Sequence, residues 1–105
     1  MATPDKPYLP RAGLLRQETT AALKNTAWQI GMVLVVARHR KGWTQDELAR
    51  RADVDQGSIS AIENGRPVSG KFTDEKVDRL FATANVNEAS FARQIAFVKY
   101  WRDIN

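Results

Sequence analysis

The chain contains no cysteine, which excludes a disulfide framework and any thiolate metal site and makes a reducing cytoplasm the expected compartment. No apolar run reaches the roughly 20 residues needed to cross a bilayer. The most apolar stretch, residues 30–37, is short and interrupted by Gly31, so no membrane partner is expected. Residues 1–13, MATPDKPYLPRAG, lack the apolar core of a secretory signal. Histidine is nearly absent too: His39 is the only one, and between Arg38 and Arg40 it reads as a solvated side chain rather than a catalytic one. No HExxH, glycine-rich phosphate loop or nucleophile elbow occurs. Asp46 and Glu47 point in different directions on a helix. Asp74, Glu75 and Asp78 suit the first turn of a helix, where acids complement its dipole, although Asp74 and Asp78 share a face. Trp28, Trp43 and Trp101 are conceivable stacking platforms for single strands, but Trp43, among aliphatic neighbours, reads as core. No enzyme, cofactor or metal site is expected.

What remains is a chain of 105 residues with a net charge of +4, room for one domain with a modest core and a charge that favours a polyanionic partner. The distribution matters more than the sum. Residues 1–41 hold 7 Lys or Arg against 2 acids, whereas residues 42–105 hold 9 against 10. Nucleic-acid affinity depends on how many phosphates are neutralised, so it must rest on local placement of Arg50, Arg51, Arg66 and Lys71, or on the basic N-terminal half. Alternatively, Arg38, Arg40 and Lys41 only complement the C-terminal end of a helix.

Residues 43–66, WTQDELARRADVDQGSISAIENGR, carry the strongest local signal. Thr44 with Glu47 three residues on fits a capping box and starts a helix that buries Leu48 and Ala49 and ends near Ala52. Asp53 falls where the chain must turn, and Asp enters the left-handed region more easily than most residues. Asp55 is a natural N-cap for a second helix over residues 56–63, with Ile59 and Ile62 on one side and Gln56, Gly57, Ser60 and Ala61 mostly on the others. Asn64-Gly65 supplies a left-handed stop and Pro67 prevents resumption. Two short helices, a tight turn and a small polar outer face are the layout of a DNA-reading helix-turn-helix. Any helical hairpin needs caps, a stripe and a turn, so the order and spacing carry the reading. A glycine in a helix costs about 1 kcal/mol relative to Ala, and close approach to a groove or a frayed first turn would each accommodate Gly57.

Around the motif, residues 1–10 hold Pro4, Pro7 and Pro10 and predict an extended arm. Residues 13–24 read as a helix with Leu14, Leu15, Ala22 and Leu23 inward. Thr26 with Gln29 is a second capping-box candidate, starting a helix over residues 27–40, separate from the first or continuous with it. Residues 32–36 are apolar on every side, so more than one face must be covered. Thr73 caps a helix to about residue 84, with Val77, Leu80, Phe81 and Ala84 inward. Asn87 caps a last helix over residues 88–103, whose apolar residues are too many for one seam. Part of it is expected to pack on its own domain and part on a second copy, with Phe91, Ile95, Val98 and Trp101 as anchors; the alternative is that all of it belongs to the monomer core. The division is then residues 1–26 as arm and extra helix, 27–86 as the DNA-binding domain, and 87–105 as a dimerisation element.

Gly31, Arg38, the run GWTQDELA at residues 42–49, Val54, Ile59-Ser60, and Ile62-Glu63-Asn64-Gly65-Arg66 resemble the phage-repressor (lambda-repressor-like) and XRE-type helix-turn-helix family over residues 29–86. The resemblance implies an all-α fold, a compact five-helix repressor-like domain, here with an extra N-terminal helix and arm, that binds operator DNA as a dimer with the motif's second helix in the major groove. Carried over by position, it implies that Thr44 and Gln45 lie at the DNA edge, with Gln45 on a phosphate. It places Gln56 and Gly57 at base-contacting positions, Asn64 and Arg66 at backbone-contacting positions, and Lys71 in a basic loop near the minor groove. Arg38 and Glu63 match a structural ion pair. Asp53 stands where the family usually has Gly, and Asp55 where it commonly has Ser or Thr, a carboxylate that caps well but faces phosphates. Because Gly57 has no side chain, base readout rests more on Gln56, Ser58, Ser60 and DNA shape. The expected function is a sequence-specific regulator, a repressor or autoregulator binding a palindromic operator in double-stranded DNA as a homodimer. The alternative is an antitoxin-like module that neutralises a partner protein through its arm and aromatic last helix and regulates its own operon.

Overall fold

A computed structural model of the chain describes residues 9–17 and 21–104, with side chains described for residues 9–17 and 26–98. Six helices and no strand occur among them: α1 (Ala12–Arg16), α2 (Ala21–Lys41), α3 (Gln45–Ala52), α4 (Gln56–Glu63), α5 (Asp74–Thr83) and α6 (Glu88–Ile104). The all-α expectation holds, with α2 to α6 as the five-helix body and α1 as the extra N-terminal helix. No helix among the described residues is long and apolar enough to cross a membrane.

The N-terminal boundaries differ from expectation. The helix predicted over residues 13–24 is divided, because α1 ends at Arg16 and Gln17 is extended at φ −79°, ψ 148°. Ala22 and Leu23 belong to α2. Thr26 is not an N-cap either, since α2 begins at Ala21 and runs through it. Ala21, Ala22, Leu23 and Lys24 are all strong helix formers, and they extend the helix past the local capping signal. Of the predicted arm, residues 1–8 lie outside the described residues, while Leu9 packs against the core.

Short α1 is held by polar staples rather than by length. The Ala12 backbone N–H donates to Asp74 Oδ1 at 2.7 Å, Arg16 Nη1 donates to the Phe72 carbonyl at 2.6 Å, and Val68 N–H donates to the Leu15 carbonyl at 2.9 Å. Arg11 pairs with Asp78 at 2.5 Å and approaches Asp74. The shared face of Asp74 and Asp78 thus receives the start of α1, in addition to their place in and after the first turn of α5.

The core lies between α2 and the remaining helices, with Leu34, Leu48, Ile59, Val77, Leu80 and Phe81 fully buried. α2 packs against α4 on one side and α6 on another, which explains its apolar residues around the circumference. Gly31 marks the closest approach: a Cβ there would lie 2.5 Å from the Ile62 carbonyl oxygen and 3.0 Å from that of Glu63. The two backbones therefore meet without an intervening side chain.

The last helix corrects part of the interface expectation. Phe91 and Val98 are only 7% and 8% exposed within the single chain, and Phe91 stacks edge-on to Phe81 with ring centroids 5.7 Å apart. They are members of the chain's own core rather than free anchors. Ile95 also packs against that core, and the Trp101 side chain lies outside the described residues. Phe97, not among the predicted anchors, is 66% exposed.

Candidate nucleic-acid interface

The motif is assembled by its caps. Thr44 Oγ1 accepts from Glu47 N–H at 3.1 Å to begin α3, while the Glu47 carboxylate is engaged by Arg50 and Arg51. α3 ends at Asp53, which adopts φ 56°, ψ 50°, the left-handed conformation expected of the turn. Asp55 then accepts from Ser58 N–H at 2.8 Å and opens α4. Gly65, at φ 67°, closes the motif. A further residue, not singled out in the sequence, fixes the turn: Arg79 of α5 donates to the carbonyls of Ala52 at 3.1 Å and Asp53 at 2.8 Å, and pairs with Glu75 at 2.6 Å. Its local signal was the Glu75, Arg79 spacing of four, which reads as an ordinary surface pair until the turn is seen beneath it.

A continuous hydrogen-bonded chain links the interior to the start of α4. Arg38 grips Glu63 bidentately, Nε to Oε2 at 2.7 Å and Nη2 to Oε1 at 2.9 Å, and donates Nη1 to the Trp43 carbonyl at 2.8 Å. The side chains are 12% and 4% exposed. Glu63 sits at the C-terminal end of α4, where a negative charge is unfavourable to the helix dipole, so the guanidinium offsets that as well. The hydrogen bonds to Glu63 raise the Arg38 pKa above its ordinary value against the opposing effect of burial, and the residue stays charged throughout the usable pH range. Gln45 Nε2 donates to Glu63 Oε1 at 2.9 Å, and Gln56 Nε2 donates to Gln45 Oε1 at 2.6 Å. The ion pair thus holds Gln45, and Gln45 holds Gln56. No one of these residues carries a local signal for this link.

The outer face contains most of the predicted residues. Thr44, Gln56, Gly57, Asn64, Arg66 and Lys71 are exposed, and Gln45 and Ser60 are partly so. Asn64 Nδ2 is tied to the Ser60 carbonyl at 2.8 Å. Ser58 is a correction: it is 3% exposed and its hydroxyl donates to Asp55 at 2.9 Å, so it completes the cap and does not belong to the outer face. Its position in α4 puts it beside Ile59 and Ile62 on the buried side. A Cβ on Gly57 would meet only Asp55 Oδ2, at 3.4 Å, so the fold itself does not require glycine there. Among the cations, Arg50 and Arg51 share Glu47, and Arg51 lies 4.6 Å from the centre of the Trp43 ring. Arg66 and Lys71 form no ion pair among the described residues.

Burial pushes the Asp55 carboxyl up, but hydrogen bonds from the Ser58 hydroxyl and backbone, together with the charge of Lys76, bring it below the ordinary carboxylate value. A carboxyl depressed in the folded state adds stability above its unfolded pKa, about 3.9, and loses it as pH falls through the folded value. Wild-type stability should therefore decline in that acid range. Asp55→Asn keeps a capping oxygen and should show a shallower decline; identical acid unfolding curves would contradict the assignment. Asp55→Ala should cost about 1 kcal/mol at neutral pH.

A family model described as a helix-turn-helix domain matches residues 29–92. No curated protein and no solved structure matches the chain. The matched span takes in most of α2, the α3–turn–α4 unit, α5 and the first turn of α6, which is the body that carries the hydrogen-bonded chain from Arg38 to Gln56. By this match over more than half its length, the protein belongs to the helix-turn-helix domain family, a DNA-binding family whose members are typically not enzymes.

Proposed function

We propose that the protein is a sequence-specific transcriptional regulator of the phage-repressor and XRE type, a repressor or autoregulator that reads a palindromic operator as a homodimer. The observation that carries this reading is the placement of Gln56, exposed on the first turn of α4 and held at 2.6 Å by Gln45. The donor and acceptor count fits. Gln56 spends one N–H on Gln45, leaving its second N–H for adenine N7 and its Oε1 to accept from adenine N6. Gln45 spends one N–H on Glu63, leaving its other N–H for a phosphate. Gly57 beside it leaves room for the groove wall, and Thr44, Ser60, Asn64, Arg66 and Lys71 supply the surrounding polar and phosphate contacts.

Gln56→Ala should relax preference at one position per half-site, with a loss of about 1–3 kcal/mol of discrimination. Arg66→Ala and Lys71→Ala should instead weaken all sequences and lower the salt slope by about one each. Titrations of matched and single-mismatch duplexes at several salt concentrations separate the two behaviours. An unchanged mismatch profile for Gln56→Ala would remove this residue from base readout.

Gly57→Ala makes the opposite kind of test. Replacing a helical glycine should raise stability by up to about 1 kcal/mol, while the added methyl on the outer face should weaken operator binding. A variant that is stabler and binds equally well would show that position 57 does not approach the DNA.

An eight-residue helix presents few side chains, and two copies about 34 Å apart would read two half-sites one turn apart. The dimer contact is assigned to the last turns of α6 around Trp101, because Phe91 and Val98 are committed to the core. Trp101→Ala should shift sedimentation toward the monomer and reduce operator affinity.

A further inference from the structure

Between α2 and α6 lies a groove of about 640 Å³, within the range typical of small-molecule sites. Trp28, Met32 and Val36 of α2 form one wall, and Phe97 of α6 forms part of the other. Phe97 is the large hydrophobic that stays exposed among the described residues, at 66%, so an apolar ligand body would find uncovered surface there. Arg40 and Arg93 also line the groove, and among the described residues no carboxylate does. Both arginines are exposed and neither forms an ion pair among the described residues. Gln94 adds a directional group: its Oε1 is buried without a hydrogen-bond partner among the described residues, a costly state that a donor reaching it from a ligand would relieve.

We infer that this groove binds a small amphipathic acid, with a ring-bearing apolar body between α2 and α6, an anionic group at Arg40 and Arg93, and an N–H or O–H donated to Gln94 Oε1. A second copy fits poorly, because a twofold contact through the groove would bring unpaired arginines together, and like charges across an interface disfavour it. The site lies outside the Arg38 to Gln56 chain, and the inference does not depend on the DNA-binding reading.

The test uses the full chain without DNA and two dyes. Anilinonaphthalene sulfonate carries the rings, an N–H and an anion; phenylnaphthylamine carries the same rings and N–H without the anion. The sulfonate should bind saturably, one per chain, and about tenfold or more tighter than the neutral dye, since a charge-assisted bond is worth at least that factor. The Arg40→Gln, Arg93→Gln double variant should erase the sulfonate's advantage and leave the neutral dye unchanged. Gln94→Leu should weaken both dyes, and Val36→Trp should exclude both. Backbone amide shifts on titration should concentrate at residues 28–40 and 85–98, a readout that does not depend on any variant folding. Equal affinity for the two dyes, an advantage that survives the double arginine variant, or shifts centred elsewhere would overturn the inference. So would dye release on self-association, which would make a second copy the occupant, or binding of an acidic amphipathic peptide without binding of the sulfonate, which would make it a protein segment.

Discussion

Arg38→Ala is expected to cost about 3–5 kcal/mol of folding stability, a large share of the roughly 5–15 kcal/mol that domains of this kind possess. The loss does not measure the worth of the pair. It arises because Glu63, with a side chain only 4% exposed, would remain buried at the end of α4 with its guanidinium gone, and the Trp43 carbonyl would lose its donor at 2.8 Å. Replacing both partners by apolar residues, Arg38→Met with Glu63→Leu, should recover most of the stability, as buried pairs often allow. Specificity should not recover. Gln45 would lose its anchor on Glu63, and Gln56 would then be held only by a free Gln45. Urea unfolding and mismatch titration on the same two proteins separate these effects. An Arg38→Ala variant as stable as wild type would show that the ion pair does not hold α2 to α4.

Gly31→Ala is the second large effect, and two contributions of opposite sign decide it. Removing a glycine from the interior of α2 should by itself stabilise the helix by about 1 kcal/mol. Against this, the new Cβ would sit 2.5 Å from the Ile62 carbonyl oxygen and 3.2 Å from the Glu63 carbonyl carbon. These are backbone atoms of α4 and cannot rotate away. Overpacking of this kind costs about 1–3 kcal/mol and more as the side chain grows, so the clash should win and Gly31→Val should be worse than Gly31→Ala. Because relief requires α4 to move off α2, operator affinity should fall further than the unfolded fraction explains. Thermal unfolding with a binding isotherm on the folded fraction checks this. A stabilised Gly31→Ala would mean that the two helices have room to part freely. The contrast with Gly57→Ala, where a single contact with the Asp55 side chain at 3.4 Å should let the helix gain prevail, makes the pair of glycines a test of the packing itself.

The motif was legible because its determinants are local. Thr44, Asp55, Thr73 and Asn87 each accept a hydrogen bond from a backbone N–H three residues on, and Asp53 turns through the left-handed region. A side-chain oxygen three residues before an apolar run is readable without any tertiary knowledge. Arg38 and Glu63 are 25 residues apart, beyond local reasoning, and that pair followed from the resemblance rather than from spacing. The departures from the local pattern depend on neighbours. Thr26 has the sequence of a cap but is preceded by helix formers. Ser58 is small and polar like its neighbours, yet its place one turn before Ile62 turns it inward to Asp55. Phe91 and Val98 signalled a surplus of apolar surface, but whether Phe81 or another molecule covers such a side chain is settled only by the arrangement of α5 and α6. The link from Glu63 through Gln45 to Gln56 runs from the end of α4 across α3 to the start of α4, and neither helix announces it alone.

Selection of bound duplexes from a random DNA pool by the full-length protein tests the central claim most directly, because it registers binding, base preference and symmetry together. The expected result is an enriched inverted repeat whose half-sites lie about one helical turn apart, with an adenine position in each half-site that loses its preference when Gln56→Ala is selected in parallel. A bound pool indistinguishable from the input at every position, or an enriched sequence whose adenine preference is unchanged in Gln56→Ala, would contradict it.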